Sequence, residues 1–330
     1  MELLTFRPDH ASADVRAAIR KRPPGILGHP AALMAFGAVM AVALSPTTAH
    51  AWTAGTHIFL SDAVLRSLSL LPSGVAALLR SYPVNFLYGS IAADTSIAKK
   101  YAPEGRHCHS WHMGLEIRDR AHDEALRAFG IGYLTHLAAD AVAHNYFVPL
   151  QLARTASTTS IGHSYWESRF ETHLPEGASR RARDVLLLDH GRSDDHLDQI
   201  LSPTLFSTST NRRIFRGMVR AADNENWQRV FQLVLERSRW DLDDADVGAH
   251  LRRSFDYVID FLRRDEGSEA FLLDPSGETA LREAKWVRRS ALRAGGPIAA
   301  NLSALRTFGL PACSLSFAAS LDVPLYEASV

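Results

Sequence analysis

From residue 52 onward, apolar positions recur at helical spacing and divide the chain into segments. One stripe runs over residues 59–71 and stops at the turn signal Pro72-Ser-Gly74. Residues 75–80 predict a short helix that ends before Pro83. The stretch 89–101 has no clear period and reads as a loop around Asp94. Residues 122–148 predict a long apolar helix ended by Pro149, with Gly130 and Gly132 suited to close approach of a neighbouring helix. A Thr- and Ser-rich connection over 154–162 leads to another helix over 163–174.

Beyond Pro175 the character changes. Amphipathic segments at 211–222, 227–237 and 246–264 are rich in Arg and Asp and predict a helical extension packed on the first part. Alternation of strand type does not persist anywhere at useful length, and no internal repeat is visible. The expected fold class is therefore all-α. Residues 294–330 are nearly uncharged and contain Gly, Pro and Ser, so they are expected to lack order.

Composition adds little to this picture. The chain has 330 residues and is 46% hydrophobic, enough for a large core. Lys plus Arg equals Asp plus Glu at 36 each, so bulk charge points to neither nucleic acid nor an acidic partner. Cys108 and Cys313 are too few for a disulfide framework and leave the redox compartment open. The N-terminus says more. Arg16, Arg20, Lys21 and Arg22 precede an apolar run over 31–44 and then Ala49-His-Ala51, the order of a secretory signal. The run is shorter than the ~20 residues of a membrane-spanning helix. The expectation is an exported protein, secreted or periplasmic, that begins at Trp52 after cleavage. It divides into a signal (1–51), a His-rich helical region (52–175), a helical extension (176–293) and a tail (294–330).

The candidate chemistry lies between residues 52 and 175, the candidate zinc-binding catalytic region. His136-Leu-Ala-Ala-Asp140-Ala-Val-Ala-His144 and His163-Ser-Tyr-Trp-Glu167 repeat polar groups every four residues within apolar sequence. On a helix that spacing stacks them on one face. Imidazole and carboxylate aimed into one pocket suit zinc, and burying them without a partner is costly. Nine of the fifteen histidines fall between His57 and His173, namely His57, His107, His109, His112, His122, His136, His144, His163 and His173. With Asp94, Asp140 and Glu167 they point to a metal centre. His112, His122 and His173 have no ligand-like partner nearby and read as solvated or structural.

These residues also carry a resemblance. Trp52-Thr-Ala-Gly-Thr-His57, Tyr88-Gly-Ser-Ile-Ala-Ala-Asp94, Cys108-His-Ser-Trp111, His136-x3-Asp140-x3-His144 and His163-x3-Glu167 resemble, in order and approximate spacing, the zinc-dependent phospholipase C superfamily. The resemblance implies an all-α fold with three zinc ions. Asp94, His109, His136 and Asp140 would hold one; Trp52, through its terminal amine and carbonyl, and His57 would hold the second, with Asp140 bridging. His144, His163 and Glu167 would hold the third. His107 competes with His109, although Ser110-Trp111 fits the family's His-x-Trp pattern better from His109. Asp94 is implied as the catalytic carboxylate that orients or deprotonates water, which zinc brings to a pKa of ~7.

One departure bears on substrate. The bacterial phospholipases and the related single-strand-specific zinc nucleases usually place five residues between the bridging Asp and the next His, and this chain has Ala141-Val-Ala143. The shorter spacing looks more like the glycosylphosphatidylinositol-specific phospholipase D branch. The leading expectation is a phospholipase C-like phosphodiester hydrolase acting on phospholipid headgroups. A nuclease would want stacking aromatics and basic residues around the site. Trp111, Tyr146, Tyr165 and Trp166 are available, as are Arg180-Arg-Ala-Arg183 and Arg212 to Arg216, but acidic residues balance them and nucleic acid ranks lower. A third reading is a zinc-stabilised interaction protein at a membrane surface, supported by the basic, amphipathic stretch 281–293 with Trp286.

Overall fold

The computed structural model describes residues 52–96, 106–155, 159–175, 177–222, 238–321 and 325–326. Described residues are helical or irregular, with no strand among them, and the fold is all-α. The expected signal segment and the amphipathic segment at 227–237 lie outside the described residues.

The first three helices are α1 (Ala54–Arg66), α2 (Ser73–Ser81) and α3 (Pro83–Ala92), and α3 runs on into a 3₁₀ turn, Ala93–Thr95. The expected loop over 89–101 is thus corrected for its described part. Pro83 starts α3 at a position that needs no backbone N–H, and every residue from Phe86 to Ala92 is buried. A helix buried on all sides has no polar stripe, so no period shows in its sequence. Next come α4 (Trp111–Asp119) and α5 (Glu124–Val142). Asp123 caps α5 by accepting from Leu126 N at 2.9 Å.

α5 is the centre of the fold. It is buried over nearly its whole length and packs against α3, α4 and α11 (Asp244–Arg264). Gly132 lies against Phe86 O and Gly89 against Phe129 O, so close that a Cβ on either glycine would sit 2.1 Å from that oxygen. The sequence expectation of close helix packing holds here, and the approach brings the end of α3 beside the middle of α5.

Pro149 does not end this helix. Ala143–Phe147 form a π turn, and α6 (Val148–Thr155) continues beyond it. The widened turn shifts the hydrogen-bond register, with Val148 N donating to Ala143 O, and the proline falls in the first turn after the shift. Asn145 Nδ2 donates to Ala141 O at 2.8 Å, a further partner for the loosened backbone. The helix over 163–174 is α7 (Thr159–Glu171).

The remaining helices are α8 (Ala178–Leu186), α9 (Gly191–Asp198), α10 (Thr208–Ala222), α11 and α12 (Glu278–Phe308). α8 packs on α1, α11 on α5, and α12 on α6 and the π turn. The expectation of a tail without order from residue 294 is corrected. α12 runs to Phe308 with non-helical backbone only at Gly295 and Gly296, and Ala300, Ala304 and Phe308 are buried. Gly295-Gly-Pro297 concealed the helix by breaking its pattern, and a small buried face needs few large apolar residues. Among the described residues no helix is long and apolar enough to cross a membrane.

Candidate metal centre

Each candidate ligand is placed by a short stretch of the core. α1 carries His57, the 3₁₀ turn after α3 carries Asp94, the segment before α4 carries His109, and α5 carries His136 and Asp140. All five are buried, with Asp140 and His136 at 0% exposure. His57 Nε2 lies 3.2 Å from Asp140 Oδ1, while His109 Nε2 and His136 Nε2 lie 3.2 and 3.1 Å from Asp140 Oδ2. Asp94 Oδ1 is 3.2 Å from His109 Nε2 and 3.9 Å from His136 Nε2. The His57 and His136 rings stack at 3.8 Å.

Despite these distances, neither Asp140 oxygen nor His57 Nε2 has a hydrogen-bond partner. Two carboxylate oxygens and an imidazole nitrogen left so at a buried point would be costly on their own. A cation in their midst removes that cost, so this donor set fits zinc. Protonation agrees. Burial and the neighbouring His136 hold His57 below its usual range and so neutral. Burial would raise the Asp140 carboxyl, but His136 and His57 outweigh it and hold the group well below the usual carboxylate range.

A second cluster lies further along the same rod. His144 sits on the π turn, and His163 and Glu167 sit one turn apart on α7. His163 Nε2 is 2.8 Å from Glu167 Oε1, the His144 and His163 rings are 5.2 Å apart, and one ligand atom from each of the three lies within 4.8 Å of the others. The His109 and His144 rings are 6.3 Å apart, so the two clusters are neighbours.

Backbone carbonyls orient the imidazoles. His136 Nδ1–H donates to Ser90 O at 2.9 Å and His144 Nδ1–H donates to Pro275 O at 2.6 Å. Because a carbonyl only accepts, each bond fixes the proton on Nδ1 and leaves the Nε2 lone pair for the cluster. The sequence reading missed both partners, since a carbonyl leaves no signature in residue type. Of the competing histidines, His109 is the one inside the first cluster. His107 is partly exposed, and its Nδ1 accepts from His109 N at 3.1 Å.

Trp52 is fully buried. Its indole packs on Phe147 and Phe170, and its Nε1 donates to Ala139 O, one residue before Asp140. Of the three histidines read as solvated or structural, His112 is exposed, His122 is exposed, and His173 Nδ1 meets Asp244 Oδ1 at 2.6 Å. All three lie outside the clusters.

Residues 56–211 match the model of the family described as zinc dependent phospholipase C. The match supports membership of the zinc-dependent phospholipase C superfamily. No curated protein and no solved structure matched the chain. The match spans both clusters, and it supports a zinc phosphodiesterase function of phospholipase C type. The two His and carboxylate clusters are compatible with zinc binding.

Proposed function

We propose that this protein is an exported zinc-dependent phosphodiester hydrolase that cleaves phospholipid headgroups as a phospholipase C does. The observation that carries the reading is the pair of neighbouring buried His and carboxylate clusters within the matched region. Asp94, His109, His136 and Asp140 would hold one ion, and His57, the Trp52 amine and Asp140 a second. His144, His163 and Glu167 would hold a third. Bound zinc would acidify a water and neutralise charge on the non-bridging oxygens of a phosphodiester. Asp94 is the carboxylate that orients that water and accepts its proton. Its burial keeps bulk solvent from competing.

The Trp52 amine can donate its lone pair only when it is not part of a peptide bond. Cleavage after Ala51 is therefore part of the proposal. Intact-mass measurement of exported protein should show loss of residues 1–51, and full activity in a chain that keeps them would count against it. Peripheral contact with lipid is also proposed. On α12, Trp286 is 67% exposed beside Lys285 and Arg289.

The three-residue spacing between Asp140 and His144 favours, as a second reading, the glycosylphosphatidylinositol-specific phospholipase D branch. The deciding experiment supplies zinc-loaded enzyme with phosphatidylcholine vesicles, a glycosylphosphatidylinositol-anchored protein and single-stranded DNA. Release of phosphocholine and diacylglycerol is the expected result. Release of the anchored protein with phosphatidic acid as the lipid product would move the assignment to the phospholipase D branch. Preferential cutting of DNA would make the enzyme a nuclease, and no turnover of any substrate would favour the non-enzymatic surface protein.

A further inference from the structure

The turn that leads into α12, residues 273–277, lies well beyond the matched region, yet it presses on the helical rod at His144. Pro275 O accepts from His144 Nδ1 at 2.6 Å, and Asp274 O accepts from the neighbouring Asn145 Nδ2 at 2.8 Å. Trp111 Nε1 donates to Leu273 O at 2.8 Å, which ties the turn to α4 as well. Within the turn, Asp274 accepts from Ser276 N at 2.9 Å and holds the bend. Gly277 completes it at φ 58°, where a Cβ would stand 2.4 Å from His144 Cβ and 2.5 Å from His144 O. Both are parts of the π turn that no rotamer change can move aside.

We infer that this turn is a component of the second cluster: the Pro275 carbonyl and the bare Gly277 backbone position His144 so that its Nε2 faces His163 and Glu167. The C-terminal region is then required for the metal that this cluster holds. The inference deepens the proposed function and rests on its metal reading of His144, His163 and Glu167.

The test measures zinc per folded chain in the full-length protein, using plasma emission after dialysis and far-UV circular dichroism for folding. His144→Ala should lose one ion relative to wild type. Gly277→Ala should lose the same ion, and combining the two should lose no more. A chain that was merely destabilised would keep its full zinc complement while folded. Asn145→Ala adds no bulk and only releases the turn. It should keep the ion at saturating zinc but surrender it to a competing chelator, with an affinity reduced about 10-fold or more, as for other groups that orient a ligand. Folded Gly277→Ala with the wild-type zinc content, while His144→Ala loses an ion, overturns the inference and leaves the metal reading standing. If Gly277→Ala does not fold, wild-type zinc affinity in Asn145→Ala overturns it instead. Should His144→Ala itself keep all zinc, the metal reading of the cluster fails and this inference fails with it.

Discussion

Replacing Gly132 with alanine adds one methyl group at the closest approach of α3 and α5. The new Cβ would stand 2.1 Å from Phe86 O, where real Cβ contacts essentially never fall below 3.0 Å. Neither partner is a flexible side chain, so α3 must retreat by close to 1 Å. The Ser90 O to His136 Nδ1 bond, now 2.9 Å, would open beyond hydrogen-bonding range. Asp94, carried just after α3, would move with it away from His109. Overpacking of this kind costs about 1–3 kcal/mol, and losing a buried hydrogen bond costs about 1 kcal/mol more. The gain in helix propensity offsets about 1 kcal/mol, which leaves a net loss of about 2 kcal/mol. At about 2–4 °C per kcal/mol, the melting temperature should fall by about 4–8 °C. Ligand distances tolerate only about 0.2 Å, so zinc should leave the Asp94, His109, His136 and Asp140 cluster while the His144, His163 and Glu167 cluster keeps its ion. Circular dichroism melts and zinc content by plasma emission read both effects. Gly217→Ala is the control, because nothing stands within 4 Å of the added Cβ and α10 should be unharmed. A Gly132→Ala protein that melts with wild type and keeps all its zinc would refute the argument that this contact sets the geometry of the site.

Three further outcomes are expected. Asp140→Asn should lose more zinc than His136→Ala, because it removes a negative charge placed among His57, His109 and His136, and full zinc retention in Asp140→Asn alone would rule out a bridging role. Asp94→Asn should keep most of its zinc but lose at least ~10² in turnover of a chromogenic phosphodiester, the scale of a positioned acid–base group, and unchanged turnover would exclude Asp94 as the base. His250 is buried, its Nδ1–H donates to Asp246 O at 2.7 Å, and burial pushes its pKa down to about 4. The unfolded chain therefore takes up a proton below about 6.5 that the folded chain refuses, so stability falls by on the order of 3 kcal/mol as pH drops from 6.5 to 4. Urea unfolding of His250→Phe should lack that part of the slope, and an unchanged slope would show that His250 does not report it.

How much of this was legible in the sequence depended on periodicity. His136, Asp140 and His144, and likewise His163 and Glu167, could be read as shared faces because helix geometry fixes what lies at i+4. The all-α class followed from the same repeat. Helix α3 escaped because every position in its second half is buried, which erases the polar stripe. α12 past residue 294 escaped because two glycines and a proline interrupt it. Pro149 misled because a widened turn has no marker in composition. The Asp274-Pro-Ser-Gly277 run resembles any exposed turn, and only its packing on His144 gives it a role.

Trp52 has one more consequence. The first residues of a chain normally fray, and ordering them would take entropy from whatever bond they form. Here the indole is wedged between Phe147 and Phe170 and tied to Ala139 O by side-chain contacts that make no use of the residues before it. A chain cut just ahead of Trp52 would begin at one of its most rigid points. An amine freed there would have little motion left to lose on forming a bond.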